Sequence, residues 1–400
     1  MTNRRNFLKN ITMLSATAAL PMHDLFAQNT GFTAKPVDEG MNTVSYRATI
    51  RSVRIPPRNI TIPDSDGFKV LKGDFHIHTM FSDGAVMPQD RVREAIDNGL
   101  DVISITDHIN SAIFRVYPNI HDVINITDQL GARAPRIDQN IPDILAKPEA
   151  EKNELILIRG VEIATRNTTR EMHLNCLFVK DINAIAEMCD RRTLFAEDNE
   201  WQKMLAVSSE QGGFNFWNHP DPGYGNPKHI FDELEEVRKK GYLHGIEAFN
   251  GMSYYPFVLD FCNERDLVPF AITDIHASDC DYYGHQNLLR PMTLVLAKER
   301  SHDSVREAFF AGRLVCWAAN MILGRSRWVE QLFKSSVAFE KTAGGLALRN
   351  LSDIPCFIEA NGRSYPLAEL GATATIPTGS PKLTVTNWLV GTAKPLEITI

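Results

Sequence analysis

From about Val70 to Asn320 the chain repeats one pattern: a short apolar segment of strand length, most often with an imidazole or a carboxylate near its end, followed by a longer stretch of helical spacing. The segments are VLKGDFHIH, DVISITDH, LILIRGVEIA, MHLNCLFV, FNFWNHP, GIEAFN, VPFAITDIH and LVCWAAN. Apolar runs without polar alternation suit strands that are buried on both faces. Their alternation with helical stretches predicts parallel strands joined by crossover helices, as in a barrel or a doubly wound sheet. Helices are expected within 183–211, 229–240, 254–265 and 302–311, with a further one that Pro88 opens. Trp217, Phe214 and Phe216 read as core.

Reading off the strand ends gives His76 and His78, then Asp107 with His108, Glu162, His173, His219, Glu247, and Asp274 with His276. Half of the 12 histidines stand at such ends. In a parallel barrel all of those ends face one rim, so residues scattered in sequence converge in space. Side chains alternate along a strand, so the HIH of 76–78 points both imidazoles to one side, and the DIH of 274–276 is expected to do the same with a carboxylate and an imidazole. Asp83 follows closely in SDG, which is also good turn chemistry. Imidazole and carboxylate without thiolate suit Zn, Mn or Fe rather than Ca. His76, His78, Asp83, His108, Glu162, His173, His219, Asp274 and His276 are too many ligands for one tetrahedral ion, which points to two or three divalent ions with Glu162 as the bridge. Clustered ions generate hydroxide from a bridging water near neutral pH and neutralise phosphoryl oxygens. Asp107 is expected to orient a ligand rather than to bind metal. Glu247 divides evenly between such a role and a structural one. Arg166 and Arg170 follow the third strand and are candidates to clamp a phosphate. Tyr282, Tyr283 and His285, just past DIH, are weaker candidates to contact substrate or to donate a proton to a leaving group.

GDFHIHTMFSDG, ITDH, GVE, MHLN, NHP and TDIHA, in that order, resemble the successive motifs of the PHP (polymerase and histidinol phosphatase) superfamily over roughly residues 70–320. The resemblance implies an α/β fold, a distorted (βα)7 TIM-like barrel of the PHP type, with a two- or three-metal site hydrolysing phosphoesters. Motif by motif, the nine residues fall on its ligand positions with none substituted. It thereby implies a metal-dependent phosphoesterase in which Asp83, Glu162 and His276 are catalytic through bound metals and hydroxide. A small phosphodiester or phosphomonoester is the expected substrate.

The first residues carry Arg4 and Arg5 in RRNFLK, then an apolar run from Ile11 to Leu20, then Ala27 before a plausible cut. This order resembles a twin-arginine export signal over 1–27 and implies a periplasmic or secreted protein that engages the twin-arginine machinery. The apolar run is too short to span a bilayer, so no stable membrane anchor is expected. Residues 28–69 read as a linker with one or two strands, 70–325 as the barrel, and 331–400 as a small C-terminal β module of strand-length pieces between Gly, Asn and Pro turns. Part of 109–153 is expected to be helix and part a lid, and DPGYGNP after His219 a rim loop. The layout of export signal and trailing β module is similar to secreted phosphodiesterase-like members.

A formal net charge of −7, spread along the chain, advertises no surface for long nucleic acid. The six cysteines lack CxxC spacing, so neither a zinc knuckle nor a dithiol redox site is indicated. Two other readings stay open. An amidohydrolase-type metal hydrolase also uses HxH on a first strand, but usually brings a lysine where Glu162 stands. A non-catalytic metal-binding protein would carry the ligands without turnover.

Overall fold

The computed structural model describes residues 57–109, 138–164, 172–189, 200–220, 227–284, 287–377 and 382–399. Within them the chain runs β1 (Lys69–Asp74), α1 (Pro88–Asp97), β2 (Val102–Ile105), α2 (Ile141–Lys152), β3 (Ile156–Ala164), β4 (His173–Leu177), α3 (Ile182–Ala186), α4 (Glu200–Glu210), β5 (Phe214–Trp217), α5 (Pro227–Lys239), β6 (Gly245–Asn250), β7 (Ser253–Tyr254), α6 (Phe257–Arg265) and β8 (Val268–Ile272). Strands β1, β2 and β3 pair in parallel, as do β5, β6 and β8. Between these groups β4 pairs antiparallel with both β3 and β5. The ring closes where the chain beyond β1 meets the chain beyond β8, at a parallel bridge between Ile77 and Ile275. The result is a seven-stranded, distorted barrel of mostly parallel strands.

Strand β4 corrects the expectation of uniformly parallel strands. His173 is the first residue of its strand, not the last. Because β4 runs against its neighbours, its beginning lies at the rim where theirs end, and His173 still reaches the common site.

Inward-facing side chains fill the barrel below that rim. Phe75, Val102, Ile158, Leu177, Phe214, Phe216 and Phe270 form one buried cluster. Phe216 and Phe270 stack with centroids 4.4 Å apart. Phe309 packs edge-on against Phe75 at 4.8 Å and Phe214 at 5.2 Å. It comes from α7 (His302–Phe310), which Ser301 caps by accepting from the Ser304 backbone N–H.

Next to the barrel, β1 pairs antiparallel along Lys69–Gly73 with β9 (Met292–Ala297). This strand continues the sheet into β10 (Leu314–Ala318) and β11 (Met321–Gly324). The expected barrel strand LVCWAAN is therefore a sheet strand outside the ring. α8 (Ser326–Ser336) buries Trp328, Val329, Leu332 and Phe333 on one face, so helix continues past residue 331. Then follow β12 (Val337–Thr342), β13 (Gly345–Asn350), β14 (Cys356–Ala360), β15 (Arg363–Leu367), β16 (Thr373–Ile376), β17 (Lys382–Gly391) and β18 (Lys394–Thr399). Strand β17 joins β11 in parallel at Ile322–Trp388, so the C-terminal strands extend the same sheet, while β12, β13 and β16 form a separate three-stranded one.

Residues 57–64 form no strand. They pack on the fold through the partly buried Ile60 and Ile62, and Thr61 and Asp353 exchange backbone and side-chain hydrogen bonds. The export-signal and linker readings over 1–56, the lid reading over 110–137 and most of the DPGYGNP loop lie outside the described residues, as do Arg166, Arg170 and His285. Among the described residues, no helix is long and apolar enough to cross a membrane.

Candidate metal centre

His76 and His78 flank the closing bridge at Ile77, and strand alternation sends both imidazoles the same way. Their Nε2 atoms lie 3.0 Å apart. Two carboxylate oxygens face both of them. Glu162 Oε2 is 3.1 Å from each Nε2, and Asp274 Oδ1 is 3.2 Å from His76 and 3.1 Å from His78. Four ligand atoms bound at about 2.0–2.1 Å around one tetrahedral ion would stand roughly 3.3 Å from one another, close to the spacing observed.

A second group adjoins the first. His78, Asp83, His108 and His276 present ligand atoms that all lie within 4.8 Å of one another. His276 Nε2 is 3.2 Å from Asp83 Oδ2, and the His78 and His276 rings stack at 4.2 Å. A third group joins His108, Glu162 and His173, with His108 Nδ1 3.1 Å from Glu162 Oε2 and His173 Nδ1 3.1 Å from Oε1. His219 Nε2 stands 3.6 Å from Oε1. All nine candidate side chains therefore meet in one basin, with Glu162 at its centre. The DIH segment departs from the expected clamp. Asp274 has a left-handed backbone (φ 52°), so it and His276 serve different groups, Asp274 the first and His276 the second. His219 is also left-handed (φ 27°). Non-glycine residues held in that region cost free energy and cluster at functional sites.

Asp83 reaches the basin because the loop after His78 folds back on itself. A Cβ on Gly84 would lie 2.5 Å from the His78 carbonyl carbon and oxygen and 2.7 Å from the Thr79 nitrogen. Only glycine fits that approach.

Around the basin a shell of polar side chains fixes the candidate ligands. Asn218 donates to Glu162 Oε1 at 2.6 Å and to Asn175 at 3.0 Å, which leaves Oε2 aimed at the imidazoles of His76, His78 and His108. Glu247 Oε1 is 2.7 Å from His76 Nδ1, and its other oxygen accepts from the His219 N–H and from Asn250 at 3.0 Å. Carboxylates set behind metal-binding histidines orient the ring in this way. Asp107 acts one residue further out: it accepts from Thr79 and from Ser82, whose hydroxyl also contacts His78 Nδ1 at 3.0 Å. NHP and HLN contain Asn218 and Asn175, but attention to histidine overlooked the asparagines. Tyr283 is buried in the core, where burial pushes its phenol up, and Tyr282 is half exposed.

Charge in the basin is unbalanced by design. Burial opposes ionisation of Glu162, yet His108, His76 and His173 hold it well below the usual carboxylate range. Asp274 is likewise held down against burial by His76 and His78, and Asp83 by His276, His78 and His108. On His76, burial is outweighed by Asp274, Glu162 and Glu247, so its pKa rises well above the ordinary value. The same balance, with Asp274 and Glu162, takes His78 to about 9. His108 goes the other way, to about 3, through burial and the neighbouring His78 and His173, against the pull of Glu162. Three buried or half-buried carboxylates thus demand positive charge, which either protons or divalent cations can supply. Two observations favour cations. Among the described residues, only imidazole nitrogens face the buried Glu162 Oε2 and Asp274 Oδ1, a costly state for a carboxylate oxygen wherever those nitrogens carry no proton. The donor set is purely imidazole and carboxylate, which suits Zn, Mn or Fe.

A mostly parallel barrel with its ligand-type side chains gathered at one rim defines a metal-dependent hydrolase. The chain belongs to the PHP domain family, whose model matches residues 74–286. Among solved structures it is similar to a protein of Bacteroides vulgatus described as a two-domain protein containing a predicted PHP-like metal-dependent phosphoesterase, at 29% identity and a TM-score of 0.72, covering 86% of this chain and 98% of that one. Looser likenesses, both at 14% identity, are an amidohydrolase of Chromobacterium violaceum (TM-score 0.35, covering 52% of this chain and 89% of that one) and a lesion-specific endonuclease of Pyrococcus furiosus (TM-score 0.39, covering 64% and 59%). Those two overlap too loosely to bear on this chain's chemistry. No curated protein matches the chain.

Proposed function

We propose that the protein is an exported phosphoesterase that uses about two or three divalent ions, Mn, Zn or Fe, to hydrolyse a small phosphodiester or phosphomonoester. The observation that carries this reading is the pair of buried oxygens, Glu162 Oε2 and Asp274 Oδ1, each faced by two or more imidazole nitrogens within 3.2 Å. His76, His78, Glu162 and Asp274 would hold one ion. Asp83, His108 and His276 would hold a second, and His173 and His219 a third shared with Glu162. Such ions supply Lewis acidity toward phosphoryl oxygens and lower the pKa of a water. The chain's own part is positional. Asn218 fixes one Glu162 oxygen so that the other serves His76, His78 and His108, and Glu247 and Ser82 fix the rings of His76 and His78. Arg166 and Arg170 are proposed to clamp the phosphate of the substrate, and His285 to contact the substrate.

The reading is tested by offering the purified chain, loaded with Mn or Zn, an aryl phosphomonoester and the matching diester. Turnover lost on chelation supports it, and the preferred ester separates phosphatase from phosphodiesterase. Hydrolysis of amides or lactones without phosphoester turnover would move the chain to amidohydrolase chemistry, and tight metal binding without any turnover to a binding role. We further propose that residues 1–27 direct export through the twin-arginine machinery to the periplasm or beyond, which also suits a secreted phosphodiesterase-like member. Replacing Arg4 and Arg5 together by lysine should then retain the protein in the cytoplasm; unchanged fractionation of that variant would refute export by this route.

A further inference from the structure

The barrel closes between its first and last strands at the point where the candidate ligands of both stand, and few backbone hydrogen bonds hold that seam. His78 N–H donates to Ile275 O at 3.1 Å, Asp274 N–H to His76 O at 2.9 Å, and Ala85 N–H to His276 O at 2.6 Å. A side chain supplies further bonds. Arg91, on the inward face of α1 together with Pro88, Val92 and Ala95, is only 1% exposed. Its Nε donates to His78 O at 2.8 Å. Its Nη2 donates to Ile275 O at 3.2 Å and His276 O at 2.9 Å, and its Nη1 to Ala277 O at 2.8 Å and to Glu94 at 2.7 Å. One guanidinium thus ties the backbone of His78 to the backbone of His276, whose rings stack on each other in the second ligand group.

Glu94 extends the tie, because its other oxygen accepts from the Asp279 N–H at 2.9 Å. Asp279 in turn faces a second buried arginine, Arg290, which pairs with Asp74 at the end of β1. Asp74 accepts from the Thr273 hydroxyl at 2.5 Å, one residue before Asp274. Charged groups with this little exposure are rare unless paired, and removing one partner of a buried set costs more than the set contributes. A planar fork with five donors can address several carbonyls in fixed directions, which a lysine ammonium cannot.

We infer that Arg91 is a positioning residue of the metal centre: it sets the separation of the His78 and His276 ligand segments across the barrel seam. This rests on the metal reading of the site, though not on any particular substrate. Replacing Arg91 by lysine keeps the charge but not the fork, so the two segments lose their common reference and metal affinity falls while the chain still folds.

The test is calorimetric titration of full-length wild type, Arg91→Lys and Glu94→Gln with Mn, alongside thermal unfolding of each with and without metal. Expected is an affinity at least about tenfold weaker in Arg91→Lys, the size of effect typical for groups behind metal ligands. A smaller Mn-induced rise in Tm than in wild type should accompany it, and Glu94→Gln should shift both in the same direction. A lower Tm with wild-type Mn affinity would make Arg91 merely structural and overturn the inference. Should Arg91→Lys fail to fold, Glu94→Gln decides, and wild-type affinity in it overturns the inference equally. Tight Mn binding by wild type without phosphoester turnover would sink the proposed function but leave this inference standing. A wild type that binds neither Mn nor, in a parallel titration, Zn overturns both.

Discussion

Glu247→Gln is an isosteric change with a consequence that follows from counting donors. Glu247 Oε1 faces His76 Nδ1 at 2.7 Å, and Oε2 accepts from the His219 N–H and the Asn250 amide. His76 turns its Nε2 to Glu162 and Asp274. A ligating lone pair there assigns the ring proton to Nδ1. All three partners of Glu247 are then donors. A glutamine amide must place its NH2 against one of them whichever way it is turned, leaving a buried donor unpaired at about 1–3 kcal/mol. That cost is present with and without metal and appears as lost stability; the loosened His76 ring should weaken metal binding by the roughly 10- to 100-fold typical of such groups. Metal affinity measured by competition with a chromogenic chelator checks it. An affinity within about twofold of wild type would refute the donor count and the tautomer assigned to His76.

Other expectations follow from single contacts. Gly84→Ala puts a Cβ 2.5 Å from the His78 carbonyl, so the Asp83 loop must move and turnover should fall at least about tenfold in a steady-state assay. Phe309→Ala opens a cavity among Phe75, Phe214 and Phe270 and should cost about 3–5 kcal/mol in denaturant unfolding. His244 accepts the Asn215 N–H at Nδ1, at 3.0 Å, and burial holds its pKa down at about 4, below the ordinary 6.5. Folding therefore favours the neutral ring; that stability is present above about pH 6.5 and is lost as pH falls toward 4, by about 2 kcal/mol between pH 7.5 and 5. His244→Gln should flatten that part of the slope in urea unfolding at the two pH values.

The site was more legible in the sequence than the path of the chain. Nine ligand-type residues near strand ends stand out because imidazole and carboxylate are rare in otherwise apolar strand segments, and the structure gathers all nine in one basin. Strand direction leaves no such trace. MHLNCLFV has the same apolar character whether it runs with or against its neighbours, so the reversal of β4 shows only in its pairing. LVCWAAN likewise matches a barrel strand in composition, yet β9 draws it into the outer sheet. Arg91 was hidden for a different reason: on an amphipathic helix an arginine reads as a surface residue, and only the convergence of four carbonyls on its guanidinium explains why it is buried.

The central claim is a multinuclear metal centre with Glu162 at its middle. Its most direct test is elemental analysis of the purified chain and of Glu162→Ala after equilibration with Mn or Zn and removal of free metal. The account predicts about two or three ions per wild-type chain, and a loss of more than one on removing Glu162. One ion or fewer in wild type, or an unchanged count in the variant, would contradict it.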